Sequence, residues 1–341
     1  MQWLLSSMRS KPATWLLHIA LTTILVGACV THFFGEQGEI HLRADKAQTL
    51  ANSHSSISLF LWDFQVVNDA DNNPVDFISE LRLLDRSKQP LVVEEGIIRM
   101  NKPLKYHNWR FCQSDYDSDQ QGVVLAYNYD PWGIGITYTG YALLLIAMIA
   151  FFFQRRTYFR AMLRQQHKWL MVGLGVVAII LAFVMTKVVT PKPPLQPVLQ
   201  TPLLGIHVSV IMLAYTLFAI IAINGIIGLC SKKHSAISYQ LSVILLYPAE
   251  FCLMAGIFIG AVWANMSWGR YWGWDPKETW ALITMLVYAL LLHLPWLKRK
   301  FQISNIKFQL YHHVGSIIAF FFVLFTYFGV SYLLGGLHSY A

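Results

Sequence analysis

The sequence predicts a polytopic α-helical membrane protein of about seven transmembrane helices with one small extracytoplasmic β-sandwich-like domain. Three observations carry that expectation. Charged residues make up only 13% of the 341-residue chain, about half the ~25% usual in soluble domains, while 55% are hydrophobic. Seven apolar runs reach or approach the ~20 residues that cross a bilayer as a helix. Between the first two runs, the composition shifts to an Asp-rich sequence with the alternation of half-buried strands.

The first run, residues 14–34, follows Arg9 and Lys11 as a signal peptide would. It is too long for one, lacks a small-x-small exit and carries His18 near its start, so it reads as a retained helix. Residues 35–133 come next, with strands expected at 58–67, 77–84, 91–100, 109–113 and 123–129 and turns at 71–74, 86–90 and 118–122. A segment of that size buries a modest core, and its one cysteine, Cys112, makes no internal disulfide. The remaining spans fall near 134–153, 168–188, 205–229, 239–262, 279–297 and 310–334. Glu250 is the one acid inside any of them, so it is paired, protonated or part of a polar path.

Lysine and arginine set the expected orientation. With the N-terminus inside, the inner segments hold Arg9 and Lys11, then Arg155, Arg156, Arg160, Arg164 and Lys168, then Lys232 and Lys233, then Lys298, Arg299, Lys300 and Lys307, with no acid among them. The short outer loops carry only Lys187, Lys192, Arg270 and Lys277. The positive-inside rule therefore orients every span consistently and places the β domain, the loop at 263–280 and the C-terminus outside. The net charge of +8 is a topological signal, dispersed over separate loops, and calls for no nucleic-acid partner.

Common soluble-enzyme motifs are absent. No C-x-x-C-H, HExxH, phosphate loop or GxGxxG occurs, and Cys29, Cys112, Cys230 and Cys252 are far apart, so the chain is not itself a c-type cytochrome. Instead, the segment Trp263 to Trp280 crowds Trp263, Trp268, Tyr271, Trp272 and Trp274 around Gly269, Arg270 and Gly273 at one membrane surface. An interfacial aromatic belt accounts for some of these rings. A flat apolar ligand with anionic edges, such as a porphyrin, accounts for the rings together with Arg270 and Lys277, its candidate carboxylate partners. Asp275-Pro-Lys-Glu278 is also a strong helix start, with Asp275 at N-cap, Pro276 at N1 and Glu278 at N3.

The histidines sort by depth. His207 and His338 lie at outer span ends flanking the Trp-rich loop, while His18 and His293 each lie about one turn inside the inner surface. Imidazole is a good iron ligand, and each pair would suit bis-histidine ligation; a satisfied polar residue is the competing account of each one alone. His312 and His313 compete for the inner site, and His41, His54 and His107 read as structural or exposed.

Trp268-Gly-Arg-Tyr-Trp-Gly-Trp-Asp-Pro-Lys-Glu-Thr-Trp280 resembles the tryptophan-rich WWD motif of haem-handling proteins, and Leu204-Gly-Ile-His-Val-Ser209 and Gly336-Leu-His-Ser-Tyr340 resemble the histidine segments that flank it in the CcsA family. His18-Ile-Ala-Leu21, Gly35-Glu-Gln-Gly-Glu-Ile-His-Leu42, Asn101-Lys-Pro-Leu-Lys-Tyr-His-Asn-Trp-Arg-Phe111 and Tyr129-Asp-Pro-Trp-Gly-Ile134 resemble its ResB/CcsB partner. Over its whole length the chain is similar to a fused system II cytochrome c synthetase in short form. That resemblance implies four segments: a helix at 1–34, a ResB-like β domain at 35–133, a helix and basic cytoplasmic loop at 134–167, and a CcsA-like haem-handling domain at 168–341.

It further implies a site in the cytoplasmic membrane of a bacterium or a plastid-type membrane, where haem b enters at His18 and His293 and reaches an outer site ligated by His207 and His338. Trp263, Trp268, Arg270, Tyr271, Trp272, Trp274, Asp275 and Lys277 would hold the ring while the thiols of an apocytochrome c C-x-x-C-H add to its vinyl groups, as in a holocytochrome c synthase (haem lyase). A thiol-reductant protein is an expected partner. Fused members of the family carry further spans ahead of residues 14–34 and a larger outer domain, which leaves room for a separate subunit at haem entry. Haem export or chaperoning without ligation, and di-haem b-type electron transfer, are the alternatives.

Overall fold

The computed structural model describes residues 11–44, 46–50, 57–85, 92–154, 157, 159–160, 164, 175–181, 183, 197–199, 201–231 and 233–334. Among these, six helices are long and apolar enough to cross a bilayer. They are α1 (Pro12–Phe34), α2 (Gly133–Phe153), α3 (Pro202–Cys230), α4 (Ser235–Ser267), α5 (Pro276–Lys300) and α6 (Asn305–Leu324), the last continuing through a π-helical turn, Phe325–Gly329, to Leu333. Of the expected span at 168–188, only 175–181 and 183 fall among the described residues, and these are helical. The helices start where local chemistry satisfies their first N–H groups. Thr201 accepts from the Leu204 amide ahead of Pro202, Ser304 accepts from Lys307, and Asp275 and Glu278 form a full capping box around Pro276.

The segment between α1 and α2 is a two-sheet sandwich. One sheet has the order β1-β8-β7-β6 (Glu36–Arg43, Gly122–Tyr129, Trp109–Tyr116, Leu104–Tyr106) and the other β2-β3-β4-β5 (Gln48–Thr49, Ile57–Asn68, Pro74–Asp85, Val92–Arg99). Their facing side chains, among them Leu42, Leu59, Leu61, Leu81, Leu83, Ile98, Phe111 and Leu125, form one dry core. The strands expected from alternation are present. β1, β2 and β6 are additional: Glu36–Arg43 turns only Ile40 and Leu42 inward, and its extended form comes from continuous antiparallel pairing with β8, Glu36 opposite Tyr129 through Arg43 opposite Gly122.

That ladder continues as a helix pair. β1 leaves α1 directly and β8 leads into α2, and the helices stay close because Gly27 faces Thr137, Gly140 faces Ile24 and Gly133 faces Thr31, so that added methyl groups would collide at each point. Asp130 fixes the junction by accepting from the Gly133 amide at 2.7 Å and the Thr31 hydroxyl at 2.6 Å. α3 to α6 form the second bundle around a core that includes Phe218 stacked on Tyr288 at 3.6 Å. Met254 of α4 packs with Leu144 and Ala20, joining the two helix groups.

Candidate functional site

Two constellations lie at opposite ends of the helices. At the end away from the sandwich, α1 brings in His18, six residues from its start, and α5 brings in His293, seven from its end; at ~1.5 Å per residue both sit ~9–10 Å deep. Their ring centroids are 6.2 Å apart and the ring planes are nearly perpendicular, at 87°. Two imidazoles bracketing one metal, each of ~1.1 Å radius with a nitrogen–metal bond of ~2.0–2.1 Å, have centroids ~6.3 Å apart. The observed spacing fits that arrangement.

Each ring is also held in one tautomer. His18 Nδ1 donates to the Thr14 carbonyl and His293 Nδ1 to the Ala289 carbonyl, both at 2.7 Å. A carbonyl only accepts, so Nδ1 carries the hydrogen and the neutral ring keeps its lone pair on Nε2, as an oriented metal ligand requires. The pair lines a cavity of about 750 Å³. That is within the ~300–1,000 Å³ range of ligand pockets. Phe151, Tyr247, Phe251 and Trp296 supply apolar wall, and Lys11, Arg160, Arg164, Lys298 and Arg299 supply positive charge. A flat apolar ligand with carboxylates matches both parts of this lining. His312 and His313 are buried elsewhere in α6, His312 edge-on to Tyr239 and His313 Nε2 beside Ser235, and neither lines the cavity.

At the sandwich end, His207 projects from the first turns of α3 toward α4. Its Nδ1 donates to the Gly256 carbonyl at 2.7 Å, which fixes the same tautomer as in the other pair. Gly260 makes room for the ring: a Cβ there would lie 2.6 Å from His207 Cε1 and 2.7 Å from Nδ1. Gly256 likewise lets Ile211 close in, so α3 and α4 touch along a glycine seam. His338 lies outside the described residues.

The Trp-rich loop follows the end of α4 at Ser267, seven residues beyond the Gly260 that receives the His207 ring. Trp263 is buried at the end of α4 and stands edge-on behind Trp268 at 4.8 Å, so its ring supports the one in front. Trp272 and Trp274 meet edge-on at 6.1 Å, and Trp274, at φ 55°, is 72% exposed. Tyr271 packs against Tyr138 and Tyr141 of α2, and burial holds its hydroxyl in the neutral form by pushing its pKa far up. The Arg270 guanidinium lies over Gly273, where a Cβ would come within 3.1 Å of Nε. Asp275 and Glu278 are committed locally: Asp275 Oδ1 accepts from the Lys277 amide and Glu278 Oε2 from the amides of Gly273 and Asp275. Lys277 Nζ donates to Ser331 at 3.0 Å, tying the loop to the last helix. The sandwich covers the loop from the side, leaving a notch of about 260 Å³ whose lining includes Gln37, Glu39, Ser114, Asn128, Trp268 and Arg270.

Sequence reasoning named the inner histidine pair but not what holds the outer one. Gly256-Ile-Phe-Ile-Gly260, a small-xxx-small spacing in an apolar helix, was the available signal. The contacts of Asn101 and Asn128 with the loop cross between distant segments and leave no local pattern.

Comparison with known families places most of the chain. A family model described as "Cytochrome C assembly protein" matches residues 136–338, and one described as "ResB-like family" matches residues 10–131. Protein NrfI of Wolinella succinogenes is 40% identical over 158 residues, covering 43% of this chain and 17% of NrfI. Cytochrome c biogenesis protein CcsA of Chlamydomonas reinhardtii is 37% identical over 173 residues, 46% of each chain. The protein of the same description from Prochlorococcus marinus (strain NATL1A) is 33% identical over 199 residues, covering 47% of this chain and 61% of the relative. The chain thus aligns with about a sixth of NrfI and about half of the algal CcsA.

Proposed function

The chain belongs to the cytochrome c assembly protein family, with a ResB-like segment ahead of the matched region, and from that premise we propose that it carries haem to an external Trp-rich site and supports its covalent attachment to apocytochrome c. One observation carries the reading. His18 and His293, both exposed, stand 6.2 Å apart in matching tautomers on the wall of an open pocket with apolar sides and five cations, which suits an iron porphyrin dianion. The positive-inside rule puts that cavity on the cytoplasmic side and the sandwich, the loop and the C-terminus outside.

At the outer site, His207 and His338 would hold the haem iron, and the rings of Trp268, Trp272 and Trp274, backed by Trp263, would form the platform for the porphyrin. Arg270, with Lys277, would set its polar edge, while Asp275 caps α5 and Tyr271 anchors the loop on α2. The chemistry asked of the protein is positioning. Each apocytochrome thiol adds as S–H across a vinyl C=C, the sulfur bonding one carbon and the hydrogen the other, so no external oxidant is needed. Holding both partners in place turns a bimolecular addition into a nearly intramolecular one. Release of the product would require the histidine of the C-x-x-C-H segment to replace His207 or His338 as an iron ligand. A thiol-reductant protein keeps the substrate thiols available.

The test is co-expression with a C-x-x-C-H substrate in a host without its own maturation system. Covalent haem on the substrate supports the synthase, and its loss in His207→Ala or His338→Ala with partial return on added imidazole supports the ligand assignment. Haem that is bound but never transferred makes the protein a chaperone. Reversible quinol-driven reduction makes it a b-type cytochrome.

A further inference from the structure

The Trp-rich loop is fastened to the sandwich. Asn128, on the face of β8 turned away from the sandwich core, is buried, and its amide donates to the Gly269 carbonyl at 2.6 Å. Gly269 has φ 73°, and a Cβ on it would stand 3.1 Å from Cys112 Sγ in β7, so the loop backbone rests directly on the sheet. Just ahead of Trp268, the Ser267 hydroxyl donates to Asn101 Oδ1 at 2.5 Å. Asn101, in the turn between β5 and β6 at φ 61°, uses its amide on the Val198 carbonyl at 3.1 Å. Two asparagines from separate parts of the sandwich therefore grip the loop on either side of Trp268.

We infer that Asn128 and Asn101 are positioning residues that hold Trp268, Gly269 and Arg270 in the haem-receiving arrangement, so that loop docking on the sandwich and haem binding at the outer site are coupled. This rests on the haem-delivery reading of the loop. Coupling of two equilibria is reciprocal: whatever factor docking adds to haem affinity, haem adds to docking. Asn128 acts through the Gly269 carbonyl of the loop backbone and Asn101 through the Ser267 hydroxyl at the end of α4.

Cys112 reports on the seam. It is 2% exposed, and burial raises its thiol pKa to about 12, so alkylation is slow as long as the cover stays in place. The experiment uses the full chain purified in detergent, with hemin as the probe. N-ethylmaleimide labelling of Cys112 is followed by mass spectrometry, and hemin affinity is read from the part of the Soret signal lost in His207→Ala. Expected is slower Cys112 labelling on hemin addition in the unsubstituted protein. Asn128→Asp, which keeps the size and removes the donor, and Asn101→Ala are expected to speed Cys112 labelling and to weaken hemin binding by about tenfold, with the sandwich's near-ultraviolet circular dichroism unchanged. Asn128→Gln, which keeps a donor, recovers part of both.

Hemin bound through His207 with Cys112 labelling and affinity indifferent to both substitutions overturns the coupling and leaves the haem reading standing. Absence of any His207-dependent hemin signal overturns both. Should the variants fail to fold, the unsubstituted protein still decides: hemin that binds without slowing Cys112 labelling refutes the inference.

Discussion

Replacing Gly260 with Ala puts a methyl group where the His207 ring now lies. The new Cβ would stand 2.6 Å from Cε1 and 2.7 Å from Nδ1, about 0.8 Å inside the 3.4 Å at which ordinary contact begins. The ring must retreat by roughly that much, which takes Nδ1 from 2.7 Å to the limit of hydrogen-bond reach of the Gly256 carbonyl. Overpacking of this kind costs about 1–3 kcal/mol, and the lost orienting bond about 0.5–1.5 kcal/mol. Disturbing the partner that orients a metal ligand typically lowers affinity ~10–100-fold, or about 1.4–2.8 kcal/mol. Helix propensity works in the opposite direction, since Ala is better than Gly inside a helix by ~1 kcal/mol, so intrinsic helix propensity is not the cause of a loss. Hemin titration of the purified protein, read at the His207-dependent Soret band, is expected to show affinity falling 10–100-fold and free imidazole restoring the low-spin spectrum. Unchanged affinity in Gly260→Ala, alongside a clear loss in His207→Ala, refutes the claim that the glycine seam positions this histidine.

At the inner cavity, His18→Ala and His293→Ala each remove the same haem signal, and the double variant loses little more, because two ligands of one iron act as a unit; additive losses in copurified haem would separate them. Arg160→Ala or Arg299→Ala lowers haem retention several-fold, and salt weakens retention in the unsubstituted protein more than in the variants, measured as haem off-rates. Asp275→Ala removes the cap of α5 and costs about 0.5–2 kcal/mol, seen as a lower thermal midpoint, while inner-site haem is unaffected. Cys112 reacts only as thiolate, and burial disfavours that charged form, so its labelling rate is expected to climb about tenfold per pH unit from pH 7 without levelling off before its pKa of about 12. A plateau near pH 9 means the thiol is not covered.

Helices and strands were legible to different depths in the sequence. The spans could be read because crossing hydrocarbon demands length and apolarity, and Asp275-Pro-Lys-Glu278 because a cap is a local pattern. Strand β1 was not, since its partners in β8 lie about 80–90 residues away and pairing alone makes it extended. In the candidate sites the histidines were named from depth and composition, and His18 with His293 then proved to be neighbours. The role of Asn128 depends on a carbonyl in a loop 141 residues later, a relation that only the fold creates.

The sandwich enters and leaves through adjacent strands, at Glu36 and Tyr129, directly above two helices kept in register by glycines. It is an insertion whose ends already meet, so its size can change without altering the geometry of the helix pair beneath. Residues 36–129 exchanged for a tight turn would leave α1 and α2 a simple hairpin, with His18 still presented to His293. Shortening the domain would remove the grip on the loop but not the inner histidine pair, so a single excision separates the two constellations.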